Sequence, residues 1–499
     1  MPLQFSIPSS LNKKNIWAVP FFALLFFLCC ADMFFTTHIH GFNFRWGQIL
    51  LLAFAFPALL RFKTALQNHT AEGQTTLKIL LSWLPFFVIY GVAAIFSTSP
   101  LLTGIKWGWG VFNIGLAALI CLDTRTDSSL EEGFQWGLVL ISAYIWLESI
   151  AIYILSSFTS ITDLEWGHPS EISFLHLPIG YAQRDSQYHN LPIYRSNAFY
   201  YEPSYAGCAL TFALFLLFFL DIRRSKSKSG WIPAIVLSAV MLTTSRAGVV
   251  SAALFIIGVP TLLLLWRHWS TLWRSLFKTI LISSLLIWLF CLFPNSRTYM
   301  ELLADYNGAG AINRLEVYMK NHSMLLSPKT AEPVPETVKS ANLAPAAAPS
   351  IAATPVPIEV KNSSEWGRLD NLKESFVIWM QHPLLGNGVT PQPQLAGYQN
   401  TSKGLSQISG VTWTEVGLES GILGFAAFLF ALLANMTIAW RKSIDINLKT
   451  LVLVAWIMHF GIQFILSQTF PRLDYWLIFF LSIRLLIKSG ESKPSAFRV

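Results

Sequence analysis

Charge is scarce in this 499-residue chain. Asp, Glu, Lys and Arg make up 12% of it against 53% hydrophobic residues, with a mean hydropathy of +0.49. That balance excludes an ordinary soluble globular domain. Cysteine is also sparse: Cys29, Cys30, Cys121, Cys208 and Cys291 lie in or beside apolar runs, with no paired spacing of the metal or redox type. They are read as lipid-facing or packing residues. The chain has no zinc spacing, nucleotide-binding glycine loop, Walker sequence or serine-nucleophile elbow. Neither ATP, nor a tightly held metal, nor another cofactor is therefore expected. The apolar runs lack the alternation of barrel strands, so a β-barrel is excluded in favour of helices. The first run follows Lys13 and Lys14 without a small-residue cleavage site or lipobox-like pattern before Cys29 and Cys30. It is expected to be a retained span and not a removed signal peptide.

What the chain has in abundance is apolar sequence long enough to cross about 30 Å of hydrocarbon. The expected fold is an all-α polytopic membrane helix bundle of about twelve transmembrane helices. Spans are placed near residues 16–35, 46–61, 78–96, 101–122, 134–157, 204–221, 231–244, 247–266, 279–293, 412–438, 450–467 and 474–488. The second, seventh and ninth are short, which makes each a candidate re-entrant segment. The chain divides accordingly into helices 1–5 (1–157), a first long loop (158–203), helices 6–9 (204–293), a large loop (294–411), and helices 10–12 with a tail (412–499).

The net charge of +8 is spread in small clusters between spans, which points to topology and not to nucleic acid. One set of alternate connections carries Lys13/Lys14, Arg61/Lys63/Lys78, Arg223/Arg224/Lys226/Lys228, Arg267/Arg274/Lys278, Arg441/Lys442/Lys449 and Lys488/Lys493. The other short connections have little beyond Arg45, Arg246 and Arg472. Both termini are thus expected in the cytoplasm and both long loops outside. The large loop contains a Pro/Ala-rich stretch near 328–360 with little to bury, expected to be a mobile insertion without chemistry. It is followed by an amphipathic helix, WGRLDNLKESFVIWMQ, in which Leu369, Leu372, Phe376, Val377 and Met380 share a face. That helix should stop at HPLLGNG, where a proline and two glycines favour a turn.

Arg246 is the only charged residue between Lys228 and Arg267. A guanidinium within an apolar stretch calls for an anionic partner or a wet cavity; the alternative is a solvated cap on an interfacial turn. Arg195 and Arg368 are expected on the same outer side. An arginine fork matches phosphate oxygens, so together the three are candidates to hold a diphosphate, although each alone also reads as a surface residue. Glu202, in YYEPSYAG, is either a carboxylate beside a helix N-terminus or a general base. Tyr200, Tyr201 and Tyr205 fit an interfacial aromatic belt or, for Tyr201 and Tyr205, sugar stacking. Glu415 and Glu419 lie one helical turn apart in VTWTEVGLESGILG, so they face one way, and Glu415 is a site candidate. His382 is a candidate base because imidazole exchanges protons near neutral pH, though a histidine before a proline turn is often structural. Lys106 and Glu148 are read as an ion pair between the fourth and fifth spans.

In this order, RSNAFYYEPSYAG, LTTSRAGVVSAAL, RLDNLKESFVIWMQHPLLGNG and WTEVGLESGILGF resemble the O-antigen polymerase and ligase superfamily of bacterial inner-membrane glycosyltransferases. The resemblance runs from about Arg195 to Gly424. It implies metal-independent transfer of a glycan from undecaprenyl diphosphate to a sugar hydroxyl at the periplasmic face of the inner membrane. The implied partners are the lipid-linked oligosaccharide, membrane lipids and a chain-length regulator. Arg246 looks like the family's arginine at the end of a short span, and Arg368 like its periplasmic-loop arginine. Ligases of this superfamily commonly carry a His-Asn pair where this chain reads Gly410-Val411. With EPS following paired tyrosines, the chain looks more like polymerases of O-antigen or exopolysaccharide repeats, with ligase as the alternative. A transporter or flippase is a third reading, against which no repeat relates residues 1–245 to 246–499.

Overall fold

A computed structural model describes residues 18–30, 36–39, 42–97, 99–123, 127–153, 181–184, 192–195, 203–224, 230–243, 245–265, 270–293, 296–297, 300, 376, 379–388, 412–464 and 472–491. Among them are twelve helices, which match the expected spans one for one. They are α1 (Ala18–Cys30), α2 (Trp46–Gln67), α3 (Ala71–Phe96), α4 (Pro100–Cys121), α5 (Asp127–Tyr153) and α6 (Pro203–Arg224), followed by α7 (Trp231–Leu242), α8 (Arg246–Leu265) and α9 (Ser270–Phe290). After the large loop come α10 (Thr412–Lys442), α11 (Ile446–Trp456, continued as a π-helical turn over Ile457–Gln463) and α12 (Leu473–Glu491). The all-α expectation holds, with two antiparallel hairpins added: β1 (Thr36–Ile39) with β2 (Phe42–Arg45), and β3 (Tyr181–Arg184) with β4 (Pro192–Arg195).

Among the described residues, α2, α3, α4, α9 and α10 are long and apolar enough to cross a membrane, and shorter apolar helices pack among them. Of the three spans expected to be short, the second and ninth run to 22 and 21 residues. Residues after the apolar run of α2 and before that of α9 carry each helix beyond the hydropathy signal, whereas α7 keeps to 12 residues. Local chemistry sets several boundaries. Thr70 caps α3 by accepting the Gly73 N–H at 3.1 Å, and Pro100 occupies the first turn of α4, where its missing N–H leaves nothing unpaired.

Small residues and interhelical hydrogen bonds hold the bundle, as expected where lipid is as apolar as leucine. Gly133 and Gly137 of α5 receive Phe22 and Phe26 of α1; a methyl at either glycine would overlap the opposing chain. Gln48 donates to Asn113 at 2.8 Å, Asn435 to Ser82 at 2.8 Å, Trp146 to Ser238 at 3.0 Å and Trp456 to Ser482 at 2.8 Å. Trp83, Phe86, Phe428 and Trp476 make the aromatic centre between α3, α10 and α12.

The two ends of the bundle differ. At one, basic side chains tie helix ends together: Arg61 to Asp123, Lys488 to Glu131, and Arg484 to the carbonyls of Cys121 and Asp123. At the other lie the α3–α4 connection and the starts of α6, α8 and α10, which carry the motifs singled out in the sequence. The Pro/Ala-rich stretch near 328–360 lies outside the described residues.

Candidate functional site

The WTEVGLESGILGF motif does not open a continuous span. Gly421 adopts φ +67° and ψ −173°, which breaks α10 into a half-helix from Thr412 to Ser420 and a longer segment beyond. That conformation is essentially reserved for glycine. A break in a buried helix frees backbone groups that need partners, and the HPLLGNG segment supplies them. Asn387 and Gly388 N–H donate to the carbonyls of Leu418 and Glu419 at 2.8 and 3.1 Å, while Ile422 and Leu423 N–H donate to those of Pro383 and Leu384 at 2.8 and 3.3 Å. Gly386 and Gly388 also have positive φ, and a Cβ on Gly388 would collide with Ser97 and Thr103 at the α3–α4 connection. Trp379 lies close enough to α10 that a Cβ at Gly417 would meet its ring at 2.7 Å. The loop after the expected amphipathic helix is thereby built into the bundle.

Beneath this clamp is a buried ionic cluster. Lys106 of α4 donates to Glu415 Oε1 and to Glu419 Oε1, and Tyr90 of α3 donates to Glu419 Oε2 at 2.6 Å. Relative exposures of 6% for Lys106, 5% for Glu415 and 3% for Glu419 place all three charges away from bulk solvent. The expected Lys106–Glu148 pair is corrected: both carboxylate partners of Lys106 come from α10, and Glu148 is buried elsewhere on α5. Removal from water makes partner choice decisive here, because an uncompensated buried charge is strongly destabilising.

A second convergence joins YYEPSYAG to TTSRAG. A Cβ on Gly207 of α6 would stand 2.9 Å from Gly248 Cα and 3.1 Å from Thr243 Oγ1, so α6 and α8 touch backbone to backbone. Arg246 is the first residue of α8, two positions before that contact, and Tyr205 stands two positions before Gly207. Ser245 caps α8 by accepting the Gly248 N–H at 3.3 Å. The two convergences are linked through the core. Trp413 Nε1 donates to the Phe460 carbonyl at 2.6 Å in the π-helical turn, and His459 of the same turn stacks on Phe212 of α6 with centroids 4.0 Å apart. The same imidazole also stacks on Tyr475.

The expected site residues fall as follows. Glu415 is in the buried cluster, with Glu419 on the same face as the one-turn spacing predicted. His382 is exposed, in the turn that docks on the half-helix, where its carbonyl accepts the Gly386 N–H at 2.8 Å. Arg195 ends β4 opposite Tyr181, Tyr205 lies in the first turn of α6 and Arg246 starts α8; only the backbone of these three is described. Tyr201, Glu202 and Arg368 lie outside the described residues. Of the apolar face proposed for the amphipathic helix, Phe376 and Met380 are exposed and Trp379 does the docking. Sequence reasoning missed Tyr90 and the buried Arg472–Asp474 pair at the start of α12, at 3.3 Å. Arg472 was visible as one of the few outer charges, but its acidic neighbour two residues on was the signal that it is paired.

Two family models match the chain. Residues 103–310 match WcaD colanic acid polymerase and residues 231–429 match O-antigen ligase. No curated protein matches. The matches overlap on α7 to α9 and together take in all four motifs singled out in the sequence, so over residues 103–429 the chain is similar to the O-antigen polymerase and ligase superfamily.

Proposed function

We propose that the protein is a polysaccharide polymerase of the bacterial inner membrane, which transfers a glycan from undecaprenyl diphosphate to a sugar hydroxyl at the periplasmic face. The donor is a repeat unit or growing chain on its lipid carrier, and a chain-length regulator is a partner to look for. The reading is supported above all by the seating of HPLLGNG on WTEVGLESG, which draws a polar loop and buried carboxylates to the same end of the bundle as Arg246. The motif order within the matched families is consistent with it.

In this reaction the acceptor oxygen attacks the anomeric carbon as the diphosphate departs with the bonding electrons. Negative charge grows on the leaving group, so fixed cations lower the barrier more than they tighten substrate binding. Arg246, Arg195 and Arg368 take that role without a metal ion, each offering a two-pronged donor for phosphate oxygens. Tyr201 and Tyr205 hold the glycan. Glu202, Glu415 and His382 are the candidates to receive the acceptor proton. Both termini lie in the cytoplasm in this arrangement, following the lysine and arginine bias of the short loops.

The O-antigen ligase match over residues 231–429 favours a second reading, in which finished glycan passes to lipid A core or protein. Reconstitution with a lipid-linked repeat unit as sole substrate separates the two. Chain growth supports the polymerase; transfer only to an added lipid A core supports the ligase; neither returns attention to transport. Arg246→Ala should cut polymer formation by about 100-fold or more at unchanged protein level, the scale on which a lost transition-state donor is felt. Full-length polymer from that variant would sink the diphosphate assignment.

A further inference from the structure

The donors of the buried cluster engage three of its four carboxylate oxygens and leave one without a partner. Glu419 has both oxygens occupied, Oε1 by Lys106 and Oε2 by Tyr90. Glu415 has Oε1 on Lys106, whereas its Oε2 is fully buried with no hydrogen-bond partner. One ammonium between two carboxylates leaves one negative charge in excess, and a bare carboxylate oxygen in the interior is costly until a donor arrives.

We infer that Glu415 Oε2 is the atom that takes the proton of the acceptor hydroxyl, and that Lys106 and Tyr90 are positioning residues that commit the other three carboxylate oxygens. The inference rests on the glycosyl-transfer reading above and selects among its three candidate bases. As the acceptor O–H proton moves to Oε2, the oxygen lone pair forms the bond to the anomeric carbon. The bond from that carbon to the diphosphate oxygen breaks, its electron pair leaves with undecaprenyl diphosphate, and Glu415 afterwards returns the proton to water.

The geometry explains why Glu415 and not its neighbour is selected. A proton can reach Glu419 only by displacing Tyr90 or Lys106, while Oε2 of Glu415 needs no bond broken. Glu415 also lies in the first turn of the half-helix, near the end of the bundle where the HPLLGNG segment enters. That segment holds both sides of the break, with two backbone hydrogen bonds to the half-helix and two from the helix beyond Gly421.

The test is steady-state chain growth by full-length protein reconstituted in liposomes, with the lipid-linked repeat unit as substrate. Glu415→Gln should lower kcat by about 100-fold or more with KM within about threefold, the range of general-base catalysis. Glu419→Gln should keep kcat within about tenfold, because the proton-accepting atom survives it. A purely structural staple between α3, α4 and α10 predicts equal losses for both variants, so equal kcat values overturn the inference. Glu415→Asp provides a second reading should the glutamine variant fold poorly: it keeps the charge but withdraws the atom, and must also lose kcat at steady KM. Lys106→Met should behave as Glu415→Gln does, and a loss in KM alone would remove its positioning role. A wild-type protein that makes no polymer overturns the glycosyl-transfer reading and the inference with it. A working wild type beside an equally active Glu415→Gln overturns the inference alone.

Discussion

Gly207 and Gly248 let α6 and α8 meet with no side chain between them, and each stands two residues past a candidate site residue. Gly207→Ala places a methyl 2.9 Å from the Gly248 Cα, where neither backbone can yield alone. Overpacking of this kind costs about 1–3 kcal/mol, so the detergent-purified variant should melt at a lower temperature and lose polymer formation together; an unchanged melting temperature would show that the helices separate freely. At this scale the sequence was only partly legible. The shared face of Glu415 and Glu419 followed from their spacing, and both do reach one lysine. The identity of that lysine did not follow, because Lys106 lies 309 and 313 positions away and Glu148 offered a nearer opposite charge along the chain. Burial of an ion pair is decided by which helices become neighbours, and that information is absent from local pattern.

Among the elements, α10 departs furthest from its expectation. Residues 412–438 read as one apolar span, and the span exists, but it is interrupted at Gly421. Glycines inside an apolar helix also serve close helix packing, as Gly133 and Gly137 do in α5; composition does not distinguish that use from a break. The distinguishing partner was the HPLLGNG segment, whose turn chemistry was legible while its destination was not. Gly421→Ala should dislodge the segment. A Cβ there would lie 2.2 Å from the Leu384 carbonyl oxygen, and the backbone conformation adds about 1–3 kcal/mol of strain for a non-glycine residue. Faster proteolysis near residues 382–388, with the rest of the protein intact, is the expected readout. Equal protection in wild type and variant would mean that the segment seats without the break.

On the scale of the whole molecule, hydropathy was sufficient to find the twelve helices among the described residues because each must bury an apolar surface or expose it to lipid along its length. Orientation is the property to check next. Cys29, Cys30, Cys121 and Cys208 are buried, which leaves little background once Cys291 is replaced by serine. In that background His382→Cys should react with a membrane-impermeant maleimide added to the periplasmic side, and Lys442→Cys should react only after the inner membrane is opened; the reverse pattern would invert the assigned topology. The docked segment also bears on how such proteins vary in length. The connection after α9 leaves at one fixed point and comes back to another, since residues 383–388 are pinned on both sides of the α10 break. Closing a loop between two fixed anchors grows more costly by only about 0.6 kcal/mol for each doubling of its length. Sequence can therefore be added to or removed from the Pro/Ala-rich stretch near 328–360 while the returning end keeps its place, and the connection can change length without retuning the half-helix.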